Sequence, residues 1–201
     1  MARLSSHSLS SGTYDTHNSA PTSTTQKQPA NMDALFAKTT FRFEIEDTIT
    51  RWSLDKIIAE DFDTNNGWPC VAAGVFECHH VDPTKDDDIL EAIIKVYVQM
   101  PHSEDNGEIN VTPYDETPQW VRSEIKALKL ISTLPIEDCP GPRFLSSRHP
   151  KQSDEMWLPG GCCCAILMTK VLGETLGPTK YRTWPQAKRA EIYDAFAKSF
   201  K

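Results

Sequence analysis

The hydrophobic and polar positions sort the chain into one polar stretch followed by a series of short apolar runs. Residues 1–31 place 12 Ser or Thr in their first 25 positions and carry few apolar side chains. Such a segment buries too little surface to offset its ordering entropy, so a disordered tail is predicted there. From Met32 the texture changes. "FRFEI" at 41–45 alternates like a short strand, and "SLDKIIAEDF" at 53–62 reads as helical or mixed. "TNNGWP" at 64–69 gathers turn formers, and the β-prone run "CVAAGVFECHH" follows at 70–80. A second β-prone run, "ILEAIIKVYVQM" at 89–100, comes after an acidic, proline-containing connection at 81–88, so the two runs predict an antiparallel hairpin.

Residues 101–117 are polar with two prolines and predict an exposed loop. Thr117 followed by Pro118 is a helix-start signal, a hydroxyl to cap free amides and then a proline at the first helical position. The helix is expected from about Pro118 to Leu134, with Trp120, Glu124, Ala127, Leu128 and Ile131 on one face. A carboxylate thus sits inside an otherwise apolar stripe. "CPGPRFLSS" at 139–147 breaks the helix and starts a strand, and "GCCCAILMTKVLGETL" at 161–176 supplies another that ends in a Gly turn. "TWPQAKRAEIYDAFAKSF" at 183–200 repeats the Thr, x, Pro pattern and reads as an amphipathic helix. The order strand, strand, helix, strand, strand, helix predicts an α+β fold with a mainly antiparallel sheet and one packed helix.

Composition narrows the function classes. Hydrophobic residues make up 39% and charged residues 24%, enough to build one core downstream of the tail. With 21 Lys and Arg against 28 Asp and Glu the formal charge is −7, which argues against a nucleic-acid partner. No apolar run reaches the roughly 20 residues that span a bilayer, and no secretory h-region opens the chain, so no membrane association is expected. Consecutive Cys162, Cys163 and Cys164 alternate faces on a strand and make a poor disulfide framework. Reduced thiols and a cytoplasmic location fit better; a mitochondrial leader is the lesser alternative, since Arg3 is the one arginine of the Ser-rich start.

The chemistry concentrates in "AIIKVYV". Lys95 lies on the strand face opposite Ile94, Val96 and Val98, and a half-buried lysine is costly unless an opposite charge meets it. Glu124, on the apolar face of the next helix, is the expected partner. An "AIIK" strand, then "SEIKALKLI", then "PGPRFLS", then "CAILMTKVLGETL" resembles, in that order, the small lobe of protein-kinase-like folds, and most closely the aminoglycoside-phosphotransferase-like group common in fungi. The resemblance covers roughly residues 65–200. It implies a small lobe at 32–172, with 173–201 as the hinge exit and first helix of a large lobe.

That resemblance carries roles residue by residue. Lys95 would contact the phosphates of ATP and Glu124 would orient it; Met168 would be the gatekeeper behind the adenine, and Thr169 and Val171 would offer backbone C=O and N–H to the adenine edge. "LGETL" at 172–176 resembles the turn after the hinge, with Leu172 where proline is frequent. Two departures stand out. No G-x-G-x-x-G is present, only Gly67 and Gly74 in "NNGWPCVAAGVF". The catalytic-loop Asp, its Asn and the metal-binding Asp follow, in the family, the helix that Lys201 terminates here, and no match to them occurs. The resemblance therefore implies a truncated phosphotransferase, inactive as given, with weak or lost ATP binding and magnesium held only if a large lobe is supplied. The alternatives are a fragment of an active enzyme and a non-catalytic interaction module, whose exposed hinge face takes a protein partner or the missing large lobe.

Other clusters have blander readings. "ECHH" at 77–80 with the 162–164 cysteines suggests zinc, but Cys78 and His79 point to opposite faces and no C-x-x-C spacing appears, so packed thiols are expected. "DDD" at 86–88 reads as a solvated hairpin tip, the five tryptophans as packing residues, and Arg143 as strand decoration.

Overall fold

In a computed structural model the described residues are 31–63, 70–83, 89–103, 109–110, 112–136, 141–171 and 178–199. Residues 1–30 of the predicted tail, the turn at 64–69, the aspartates at 86–88 and the turn at 172–176 lie outside them; Asn31, assigned to the tail, instead caps the first helix, its Oδ1 accepting from Ala34 N at 2.8 Å. The fold is α+β. A short helix α1 (Met32–Phe36) leads into β1 (Thr40–Ile45), β2 (Thr48–Asp63), β3 (Val71–His80) and β4 (Glu91–Gln99). Two short strands, β5 (His102–Ser103) and β6 (Ile109–Asn110), precede α2 (Gln119–Ser132); β7 (Phe144–Arg148), β8 (Cys163–Thr169), α3 (Pro178–Thr183) and α4 (Gln186–Ser199) complete the order. Six strands form one sheet in the order β1-β2-β3-β4-β8-β7, every pair antiparallel. Among the described residues no helix is long and apolar enough to cross a membrane.

The stretch 53–62 is strand, not helix. It belongs to β2, which pairs with β1 through residues 48–53 and with β3 through 52–63. Register shifts between Leu54 and Lys56 and between Ile57 and Ala59 interrupt its alternation, and such bulges erase the period-2 signal that marks a strand. The loop expected at 101–117 includes the small β5–β6 pair, while 112–116 are exposed as predicted. The last helix starts at Gln186 after the separate turn α3, and no described residue of α4 is buried, so the amphipathic reading does not hold for it.

The sheet curls until its two outer strands meet. Ser146 Oγ donates to Glu44 O (2.8 Å) and Arg148 Nη1 to Arg42 O (2.7 Å), so β7 closes against β1 without a continuous ladder. Inside the curl, Phe43, Trp52, Phe76, Ile94, Val96 and Leu167 form the main core, with Met32 and Phe36 of α1 packed over it. Gly74 faces this interior: a Cβ there would lie 2.7 Å from Phe76 Cε2 and 2.9 Å from Met32 Cε. It is a packing glycine, not a phosphate-loop one. The outer face carries Val71, Tyr97, Cys164, Ile166 and Met168, covered by Val121, Ile125 and Leu128 of α2. Burial of each of these three helix side chains is worth about 1.5–3 kcal/mol, which docks the helix.

A buried amide pair locks one end of the sheet. Gln99 Nε2 donates to Thr112 O (2.9 Å), and Gln99 Oε1 accepts from Tyr114 N (2.7 Å) and Cys162 N (3.3 Å). Gln152 Nε2 donates to Gln99 O (2.8 Å), and its Oε1 accepts from Leu158 N (3.1 Å). Every polar atom of the pair is thereby used, which is the condition for burying an amide side chain. Gly74→Ala should lower stability by about 1–3 kcal/mol through overpacking of Phe76, read as a fall in the urea midpoint; an unchanged midpoint would contradict the tight interior.

Candidate functional site

The strand run that buries Ile94, Val96 and Val98 inside the curl sends Ile93, Lys95 and Tyr97 to the outer face. Lys95 opposes Val75 on β3 and Ile166 on β8, both apolar, so its ammonium has no strand neighbour to pair with. Glu124 reaches it from α2: Lys95 Nζ donates to Glu124 Oε1 at 2.8 Å, with the two side chains 27% and 30% exposed. The expected pair is present. The same Nζ lies 4.9 Å from the Tyr97 ring centroid.

The helix face differs from the one expected. The buried positions are Val121, Ile125 and Leu128, while Trp120 is 47% exposed and Ala127 is exposed. The true stripe begins one residue later, a rotation of about 100°. That rotation moves Glu124 from the centre of the stripe to its edge, where it meets Lys95 without being entombed. Pro118, not Thr117, is the capping position; it makes no side-chain cap bond, and Thr117 Oγ1 instead bonds His149 Nδ1 at 2.7 Å.

Three residues that the sequence reading left out of the site complete it. Tyr97 donates its phenol to the second oxygen of Glu124, so the carboxylate is shared between two groups of β4. Burial and the neighbouring carboxylate push the phenol well above its ordinary range, which keeps it a donor. Trp120 stands edge-on to the Tyr97 ring, with centroids 5.1 Å apart at 86°. Arg143, expected as decoration, donates through Nη1 to Ile131 O and Leu134 O at 2.7 Å each, satisfying carbonyls at the C-terminal end of α2. Alternation alone could have flagged Tyr97, which shares the face of Lys95.

Beside the pair opens a cavity of about 320 Å³. Its floor is low because the residues are small: Ala59 on β2 and Val71, Ala73 and Val75 on β3. Lys95, Tyr97 and Trp120 form one wall, and Glu60 and Asp61 of β2 form the other. Met168 lies on this outer face, buried between Ile93 and Phe144, one strand row from the Lys95–Ile166 pair, but it does not line the cavity. Thr169 N donates to Arg143 O (2.9 Å) and its Oγ1 accepts from Arg143 N (2.8 Å). Val171 follows the strand and is 51% exposed. Neither of these two hinge candidates reaches the cavity.

ATP fits this arrangement in one respect, an ammonium facing an open space above a small apolar floor. Among the described residues no group of three or more His, Cys, Asp or Glu comes close enough to hold a metal ion. The zinc idea is removed by register, because Cys78 lies in the row of Ala92 and Thr169, whereas Cys163 and Cys164 oppose Val98 and Tyr97 at the other end of β8. Burial pushes the thiols of Cys78, Cys163 and Cys164 up to about 12. No protein-family model, curated protein or solved structure matches the chain.

Two outcomes follow. Alkylation of the native protein at pH 8, with peptides mapped by mass spectrometry, should leave Cys78, Cys163 and Cys164 unlabelled until urea is added; native labelling of any of them would contradict their burial. Tyr97→Phe keeps the ring but removes the phenol donor and should cost about 1–2 kcal/mol in urea unfolding; no loss would mean that the phenol contributes nothing to holding α2.

Proposed function

We propose that this chain forms the nucleotide-facing small lobe of a kinase-like phosphotransferase of the aminoglycoside-phosphotransferase type. The observation that carries the reading is the 2.8 Å bond between Lys95 and Glu124 at the edge of an open cavity. A strand lysine that only decorated a sheet would point into water. This one is turned by a helix carboxylate toward a space large enough for a ligand. On this reading Lys95 positions the phosphates of ATP, Glu124 and Tyr97 hold Lys95 in place, and Trp120 shields the pair from one side. ATP, when bound, supplies the transferable phosphoryl group. Met168, Thr169 and Val171 keep their proposed hinge roles only if a ligand extends beyond the cavity toward the end of β8.

The acceptor base and the metal ligands of such enzymes come from a large lobe, and these 201 residues contain no match to them. Taken by themselves, the residues are therefore proposed to bind nucleotide without transferring phosphate. Magnesium would be held by a large lobe on the same or another chain.

A second reading, an interaction module, draws on Val171 and on α4, whose described residues leave Tyr193 67% exposed and none buried. Its partner would be a protein surface covering that face.

The nucleotide reading is tested by thermal unfolding. Magnesium ATP at ten times its Kd should raise the Tm of the wild type by about 3–5 °C, and Lys95→Met should lose most of that shift. Equal shifts in the two proteins would remove the phosphate role of Lys95. Light scattering of the purified chain tests the second reading, which expects self-association or partner-dependent assembly; a clean monomer at high concentration would count against it.

A further inference from the structure

The walls of the cavity are unequal in charge. Lys95 is the cation that lines it, and Glu124 already matches that charge at 2.8 Å. Asp61 adds a carboxylate from β2, and the neighbouring Glu60, which also lines the space, pairs in register with the inward-facing Gly74. Glu60 is turned toward α1, where its Oε2 accepts from Met32 N at 3.4 Å. Asp61 has no hydrogen-bond or ion-pair partner among the described residues. It opposes Ala73, which opposes Tyr97, so Asp61 stands on the outer face two strands from the Lys95 strand, about 10 Å across at ordinary strand spacing. The charged and titratable groups facing the space are thus Asp61 from β2, Lys95 and Tyr97 from β4, and Glu124 from α2. Their sum is negative before any ligand enters.

A free polyphosphate is strongly anionic and meets repulsion here that one already-paired ammonium does not offset. The remaining surface suits something else. Ala59, Val71, Ala73 and Val75 make a low apolar floor, and Trp120 stands half-exposed at its side. At about 320 Å³ the space is at the lower end of ligand pockets, so a nucleoside fills much of it. We infer that Asp61 makes the cavity charge-selective, so that metal-free polyphosphate beside Lys95 is disfavoured relative to an uncharged nucleoside on the small-residue floor. This deepens the nucleotide reading above and rests on it. Asp61 is a specificity-determining residue in this account. It takes part in no chemical step.

The test is calorimetric titration in EDTA with adenosine and ATP as probes, on the wild type and on Asp61→Asn. The wild type should bind adenosine more tightly than ATP. Asp61→Asn should tighten ATP by about three- to tenfold at low salt and leave adenosine within about twofold. Raising the salt should narrow the wild-type gap, a readout that needs no variant. Tighter binding of ATP than of adenosine by the wild type would overturn the inference, as would a variant that shifts both probes equally or neither. Those results leave the nucleotide reading standing, because a probe still binds. If neither adenosine nor ATP binds the wild type, both fall together.

Discussion

A lysine ammonium held half out of water in the middle of a β-strand must meet an opposite charge, and in this molecule that need fixes how α2 sits on the sheet. Val75 and Ile166, the strand neighbours of Lys95, offer nothing polar, so the partner has to come from above. Glu124 serves because α2 is rotated to place it at the border of its buried stripe, where desolvation is partial. A fully buried pair would forfeit much of its Coulomb gain to desolvation; a fully exposed one would be worth little. Tyr97 takes the second carboxylate oxygen and Arg143 takes carbonyls at the helix end, so α2 is held at its middle and at its C-terminus.

The rest of the architecture frees the outer face for that arrangement. Stability comes chiefly from the interior of the curled sheet, where Phe43, Trp52, Phe76, Ile94 and Leu167 are buried and β7 meets β1. The outer face then needs covering only where α2 lies. Beyond the helix, small side chains on β2 and β3 leave an open space that larger residues would have filled. Gly74, one residue along from Ala73, does the opposite task on the inner face by making room for Phe76 and Met32.

Much of this could be read from residues alone, for reasons that differ by element. β3, β4 and β8 are dense apolar runs bounded by turn formers, and β1 alternates plainly, so their strand character was visible. β2 was not, because two bulges break its alternation between Leu54 and Ala59. The length of α2 was legible within two residues, but its face was not: Trp120 counted as a core residue when Val121 holds that place. The pair of Lys95 and Glu124 was legible because a charge in an apolar run calls for a partner. Asp61, Trp120 and the Gln99–Gln152 lock were hidden, since each depends on register between segments far apart in the chain. Asp61 faces the cavity only after both bulges of β2 have been counted.

The central claim is that Lys95 and Glu124 are energetically coupled and together hold α2 to the sheet. A double-mutant cycle with Lys95→Met, Glu124→Gln and the double variant, followed by urea unfolding, tests it most directly. A coupling of about 1–2 kcal/mol is predicted, and additivity within about 0.5 kcal/mol would contradict the account.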